Sequence, residues 1–240
     1  MKPKAENIKA PIGLTSMVKA LQRNLTRNPA CPPCYLVDLD AGNGHTTLVR
    51  YAAELNFLYG TQPFHALDRY LEYELDGSLD QLEQVLYDIR SNAVFTNHYE
   101  GVIGMDIGSL SYHINEIQTE LFQKELAKIN RHATVILFVP SAKSSRMEQL
   151  IHLIGEVVDL ELVHAAPYSE QDLAKIVSAQ VSQAGVIPPD DDQVLLDAIR
   201  RNKVHTAADA KKLSRRLICQ ADGLGKIPTL QLTYSKEITK

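Results

Sequence analysis

The sequence has few cysteines, no long apolar run and no large excess of charge of either sign. Three cysteines in 240 residues are too few for a disulfide framework, and their odd number fits a reducing compartment. The longest apolar stretches, such as residues 134–140, are too short to cross a bilayer, and no apolar signal-peptide core follows Met1. These absences predict a folded cytoplasmic protein with no membrane partner.

Cysteine and basic residues form two small groups that need a separate interpretation. Cys31 and Cys34 flank two prolines, but no second pair completes a zinc site, so we interpret them as incidental turn cysteines. The formal net charge of −4 argues against a broad nucleic-acid surface. One local basic patch remains, and it fits either a solvated helix face or a nucleic-acid contact. It consists of Lys211, Lys212, Arg215 and Arg216.

Predicted strands and helices alternate through the first two thirds of the chain. Short apolar runs predict strands at residues 35–39, 64–67, 101–105, 134–139 and 157–162. Apolar residues at helical spacing predict helices near residues 14–25, 45–57, 79–95, 110–129 and 144–154. This alternation is typical of a three-layer α/β sandwich with a five-stranded, mostly parallel sheet.

The alternation stops after Pro167, and only helices are predicted beyond it. They cover residues 169–184, with Ser169 as a cap, then residues 190–202 and 206–222. The change in pattern predicts two domains, an α/β domain over residues 1–166 and a small all-helical domain over residues 167–240.

A glycine-bearing turn joins the first strand to the next helix in the order that a phosphate-binding loop requires. Its residues are Gly42, Asn43, Gly44, His45, Thr46 and Thr47. In such loops backbone amides surround the phosphates, a lysine reaches the outer phosphates and a hydroxyl holds magnesium. Thr46 could supply the hydroxyl, but His45 replaces the lysine and Leu39 replaces the first glycine. Since imidazole is shorter and mostly neutral near pH 7, weak phosphate binding or none is expected. A simple strand-to-helix turn is the alternative interpretation.

Several further motifs occur in a fixed order from residue 12 to residue 217. They are Gly13, Leu14, Val18 and Lys19, then a Walker B-like strand Gly101–Ile107, a strand at Val135–Leu137, and the run Pro167, Tyr168, Ser169, Gln171, Asp172 and Leu173. The set resembles the AAA+ ATPases of the sporulation protein K and red-type Rubisco activase kind. The resemblance implies a P-loop NTPase fold with a helical lid. It also implies ATP or ADP as ligand, with Mg²⁺ at Thr46 and Asp106.

Four positions depart from that family's pattern. His45 stands at the lysine position, Ile107 at the catalytic glutamate, Glu156 near the arginine finger and Asp209 near the lid arginine. An isoleucine cannot polarise the attacking water, and transition-state arginines are worth roughly 3 to 5 decades of rate in related phosphoryl transfers. We therefore predict a degenerate ATPase in which hydrolysis is absent or negligible and no cofactor is essential.

Three other side chains are candidates by their position in the resemblance. Ser141 follows the fourth strand, where it could contact a terminal phosphate or cap the next turn. Tyr70 and Tyr73 lie where AAA+ rings place a pore loop, or are ordinary surface tyrosines. The resulting hypothesis is a module that acts through a protein partner or an AAA+ assembly. A slow atypical ATPase and a DNA-associated helper using the basic patch are the alternatives.

Overall fold

The computed structural model describes residues 8–27, 32–59, 70–74, 81, 84, 85, 87, 88, 91, 101–110, 116–131, 133–189 and 191–221. Twelve elements have defined bounds within these residues: α1 (Thr15–Arg27), β1 (Cys34–Asp38), α2 (His45–Tyr59), β2 (Tyr70–Glu74), β3 (Gly101–Asp106), α3 (Glu116–Asn130), β4 (Ala133–Val139), α4 (Ser145–Gly155), β5 (Leu160–His164), α5 (Glu170–Gln183), α6 (Asp192–Arg201) and α7 (Ala207–Cys219). The strand predicted at residues 64–67 lies outside the described residues, as does most of the helix predicted at 79–95.

The strands form one sheet in the order β2-β3-β4-β1-β5, and every neighbouring pair is parallel. In the centre, Leu36 of β1 lies opposite Leu137 of β4 on one side and Leu162 of β5 on the other. Every residue of β4 is buried, which explains why its sequence is a continuous apolar run instead of an alternating one. The predicted α/β fold with a parallel sheet is confirmed.

Close packing of α2 on the sheet depends on a glycine in β3. A Cβ atom added at Gly104 would lie 2.4 Å from the Cγ2 atom of Val49 in α2. Because valine is branched at Cβ and has little rotational freedom, it could not move aside cheaply. Gly104 therefore lets the helix that follows the glycine-bearing turn pack directly against β3.

The described chain divides into two compact units. The first contains residues 1–41 and 45–165, and the second contains residues 42–44 and 166–240. The main division therefore lies one residue before the boundary expected from the sequence, and Gly42–Gly44 belongs to the second unit. The second unit has its own apolar core, which includes Leu173, Val177, Val181, Leu195, Ile199, Leu213 and Leu217. The role of its helices as a lid stays a prediction.

Helix caps in the second unit follow the local sequence signals. The Ser169 side chain accepts a hydrogen bond from the Asp172 amide, and the Asp172 side chain accepts one from the Ser169 amide. Asp191 and Thr206 cap α6 and α7 in the same general way. The predicted serine cap is confirmed, because capping depends only on residues within one turn.

Three local predictions differ from the structure. Strand β5 begins at Leu160 instead of residue 157, because the Val157 amide donates to the Ile154 carbonyl in a turn that closes α4. Tyr70 and Tyr73 lie inside strand β2 and not in a loop after it. Cys34 lies in β1, not in a turn, and its burial raises the pKa of the thiol. A neutral buried thiol is a core residue, neither a nucleophile nor a metal ligand.

Candidate functional site

His45, at the lysine position of the loop, makes three contacts within the first unit. Its Nε2 atom lies 2.7 Å from the Leu39 carbonyl oxygen, so Nε2 carries the hydrogen and donates it. Its ring stacks on Phe138 of β4 with centroids 4.0 Å apart and planes 7° apart. Its Nδ1 atom lies 3.6 Å from an Asp106 oxygen, and the side chain is only 13% exposed. The hydrogen bond and the stacking contact therefore hold the imidazole against residues of the first unit.

Asp106 and Ile107, at the end of β3, have opposite environments. The Oδ1 atom of Asp106 accepts a hydrogen bond of 2.9 Å from the Gly108 amide, while its Oδ2 atom faces His45. Ile107, at the position of the expected catalytic glutamate, is fully buried in the core. The structure therefore brings His45 and Asp106 together and keeps the Ile107 side chain away from solvent.

Ser141, the candidate sensor, binds a carboxylate that the sequence analysis did not single out. Its amide donates to Oδ1 of Asp40 at 2.9 Å, and its hydroxyl donates to Oδ2 of Asp40 at 3.3 Å. Asp40 follows β1 and Ser141 follows β4, and these strands are neighbours in the sheet. An acidic residue just after a predicted buried strand was the available signal for this contact.

A second carboxylate missed in the sequence lies at the end of β1. Asp38 is 13% exposed, and its two oxygens lie 2.5 Å from Lys143 Nζ and 2.5 Å from His164 Nδ1. Its negative charge is thus compensated by Lys143, which follows β4, and its other oxygen contacts His164 at the end of β5. The cluster joins three strand ends of the first unit.

Two glycines of the loop adopt backbone conformations that other residues avoid. Gly42 has φ +83° and Gly44 has φ +101°, both in the left-handed region where a Cβ atom is unfavourable. Within the second unit, the Gly42 carbonyl accepts a hydrogen bond of 2.9 Å from the Ala208 amide. A Cβ atom at Gly42 would lie 3.2 Å from the Ala208 Cβ atom. Gly42 thus permits a close approach to the first turn of α7.

Asn43, at the tip of the loop, is bound by two groups of the second unit. Its side-chain oxygen accepts a bond of 3.3 Å from the Ala207 amide, and its carbonyl accepts one of 2.7 Å from the Tyr168 hydroxyl. Burial, with a smaller contribution from Asp172, raises the pKa of Tyr168 to about 12, so the phenol keeps the hydrogen that it donates. Asn43 is therefore fixed within the second unit by hydrogen bonds from Ala207 and Tyr168.

The remaining predicted positions have ordinary surroundings. Thr46 and Thr47 are exposed in the first turn of α2, and Glu156 caps the end of α4. Asp209 exchanges hydrogen bonds with Thr206 at the start of α7, and the Thr206 hydroxyl lowers the pKa of its carboxyl group most. The acidic residue near the lid arginine position thus lies in the first turn of α7, hydrogen-bonded to its N-cap Thr206.

Among the described residues, no group of three or more His, Cys, Asp or Glu side chains could hold a metal ion. No helix in the described part of the chain is both long enough and apolar enough to span a bilayer. Tyr70 and Tyr73 lie in strand β2 and their side chains lie outside the described part, so a role of these tyrosines in a pore stays a prediction.

Comparisons with known proteins identify the fold. No family model matches the chain, and no curated protein matches it. A point variant of RuvB from Thermotoga maritima matches with a TM-score of 0.62 at 16% identity, covering 97% of this chain and 71% of that one. A second RuvB variant gives a TM-score of 0.60 at 16% identity, with 97% and 72% covered.

A third structure, T. maritima RuvB described as a Holliday junction branch migration motor, gives a TM-score of 0.58 at 17% identity, with 97% and 70% covered. Likeness at this identity is informative about the fold and not about the activity. The chain has a RuvB-like AAA+ P-loop fold.

Proposed function

We propose that this chain is a degenerate AAA+ module that acts by binding a protein partner or by taking a place in a larger assembly, with weak or no nucleotide binding. The observation that carries the proposal is the state of His45. The side chain at the lysine position donates to the Leu39 carbonyl and stacks on Phe138. A phosphate-binding lysine instead extends its charge toward the outer phosphates.

Reaching a phosphate would cost His45 both contacts. The hydrogen bond contributes about 1 kcal/mol net and the stacked pair about 1 kcal/mol. The imidazole is also shorter than a lysine side chain. One oxygen of Asp106 already accepts from the Gly108 amide, and we infer that this side chain would hold magnesium through water.

Hydrolysis meets a further obstacle at Ile107. The residue is fully buried and apolar, so it offers no group to orient or deprotonate water. The residues present therefore fit poorly to a magnesium nucleotide that is to be hydrolysed, and we derive no reaction step through one. We infer that the module is of the sporulation protein K and red-type Rubisco activase kind.

Calorimetric titration with Mg²⁺-ATP, with a phosphate-release assay on the same sample, tests the proposal. We expect no turnover and binding no tighter than millimolar. His45→Lys should tighten ATP binding at least about 10-fold, because it restores the cation, yet should still give no turnover, because Ile107 is unchanged. Phosphate release by the unaltered protein that Thr46→Ala abolishes would overturn the proposal and establish a slow ATPase.

A further inference from the structure

Positive charge is concentrated on helix α7. Its 13 residues include Lys211, Lys212, Arg215 and Arg216 and one acidic residue, Asp209, which gives this helix a net charge of +3. The whole chain has a net charge of −4, so the rest of the chain carries −7. The opposite signs mean that a polyanion would be attracted to α7 and repelled from the rest of the molecule.

The four basic side chains share one face of α7. All four are exposed, and at 100° per residue they occupy an arc of about 140°. The buried residues Ala210, Leu213 and Leu217 lie on the opposite side, in the core of the second unit. Asp209 lies 3.7 Å from Lys212, and the Lys212 side chain is 71% exposed. An exposed ion pair of this kind is weak and gives way readily to another anion.

The surroundings of this face favour one class of polyanion. A basic helix binds a membrane by inserting its apolar face, but the apolar side of α7 is packed in the core. Single-stranded nucleic acid is bound by basic grooves with aromatic stacking platforms, and α7 contains no aromatic residue. A regular duplex presents closely spaced phosphates that need only cations.

We propose that the basic face of α7 binds the sugar-phosphate backbone of a DNA duplex without reading its sequence. This goes beyond the proposed function, which names a protein partner or an assembly, and shares with it only the assumption that the module acts by binding. The basic face does not involve the glycine-bearing loop. The face is formed by Lys211, Lys212, Arg215 and Arg216, and four phosphate contacts set the largest salt dependence that it can produce.

Fluorescence anisotropy with a labelled duplex of mixed sequence, at KCl concentrations from about 50 to about 200 mM, provides the test. With four phosphates neutralised, the slope of log K against log salt should approach about −3.6, which corresponds to roughly a 100-fold loss of affinity over this range. Binding with a slope near zero, or no binding at the lowest salt, would overturn the proposal.

Two charge variants with the same number of substitutions locate the site. The first changes all four basic residues of the α7 face to glutamine, and it should lose at least about 10-fold in affinity and most of the salt slope. The second changes four exposed lysines elsewhere to glutamine, and it should change affinity less than about 3-fold. Its positions are Lys9, Lys19, Lys124 and Lys175. Equal losses in both variants would refute the assignment to α7.

A smaller change and two other probes complete the test. The double variant Lys211→Gln with Arg215→Gln, whose fold is checked by circular dichroism, should lose about half of the salt slope. Single-stranded DNA and vesicles rich in phosphatidylserine should bind more weakly than the duplex, and tighter binding of either would refute the proposal. These outcomes leave the ATP titration unaffected, so failure here and failure of the degenerate-site proposal can be told apart.

Discussion

Replacing His45 by alanine removes the contacts that hold the imidazole against the first unit. The lost hydrogen bond to Leu39 costs about 1 kcal/mol, and the lost stack on Phe138 costs about 1 kcal/mol. Alanine returns about 0.5 kcal/mol, because it favours the helix that starts at this residue. We therefore expect the free energy of unfolding to fall by about 1.5 kcal/mol, which for a chain of this size lowers the melting temperature by roughly 3 to 6 °C.

Urea unfolding followed by circular dichroism, with scanning calorimetry on the same samples, measures this effect. The matched control is His152→Ala in α4, where the side chain is 77% exposed and lies 3.6 Å from Glu156. Such an exposed pair contributes little, so the control should shift stability by less than about 0.5 kcal/mol. If the two variants are equally stable, the contacts of His45 with Leu39 and Phe138 do not stabilise the fold. The observation on which the proposed function depends would then be wrong.

Two further predictions concern packing and pH. Gly104→Ala places a Cβ atom within 2.4 Å of Val49 and should lower the free energy of unfolding by about 1 to 3 kcal/mol. In the control Gly155→Ala, the new Cβ atom meets nothing within 4 Å, and this variant should be neutral or slightly stabilising in the same urea assay. Hydrogen bonds from Arg200 to Glu170 and from Thr206 to Asp209 lower the pKa of both carboxyl groups. The folded state therefore binds these protons less tightly than the unfolded chain does. The two groups stabilise the folded state above the ordinary carboxyl pKa of about 4. This stabilisation is lost as the pH falls below that value. Thermal unfolding from pH 6 to about pH 3 should show this decline, and replacing both residues by amides should reduce it; an unchanged pH profile in the amide variant would contradict the assignment.

Two carboxylates at the carboxyl end of β1 have partners on other strands of the first unit. Asp38 pairs with Lys143 and contacts His164, and Asp40 accepts from Ser141. These contacts join residues more than 100 positions apart in the chain, as the separations of 126 for Asp38 with His164 and 101 for Asp40 with Ser141 show. Nothing in the local pattern around Asp38 predicts such a partner, so the cluster could not be found from the sequence.

The sequence by itself determined the features that depend on neighbouring residues. Strand and helix periodicity predicted the α/β order, the apolar run at residues 134–139 predicted strand β4, and Ser169 predicted the start of α5. The order of Gly42, Gly44 and the following helix placed the loop correctly between β1 and α2. These features follow from backbone sterics, capping and the spacing of apolar side chains, which act over one or two turns.

Only the tertiary structure decided the features that depend on contacts between distant elements. The end of the α4 turn moved the start of β5 to Leu160, and pairing with β3 put Tyr70 in a strand. Phe138 and Leu39 fixed the imidazole of His45, and contacts of Gly42–Gly44 with α7 assigned the loop tip to the second unit. The physical reason is that stacking, burial and hydrogen bonding between distant segments depend on where the folded chain brings them, and one sequence read along its length contains no measure of that distance.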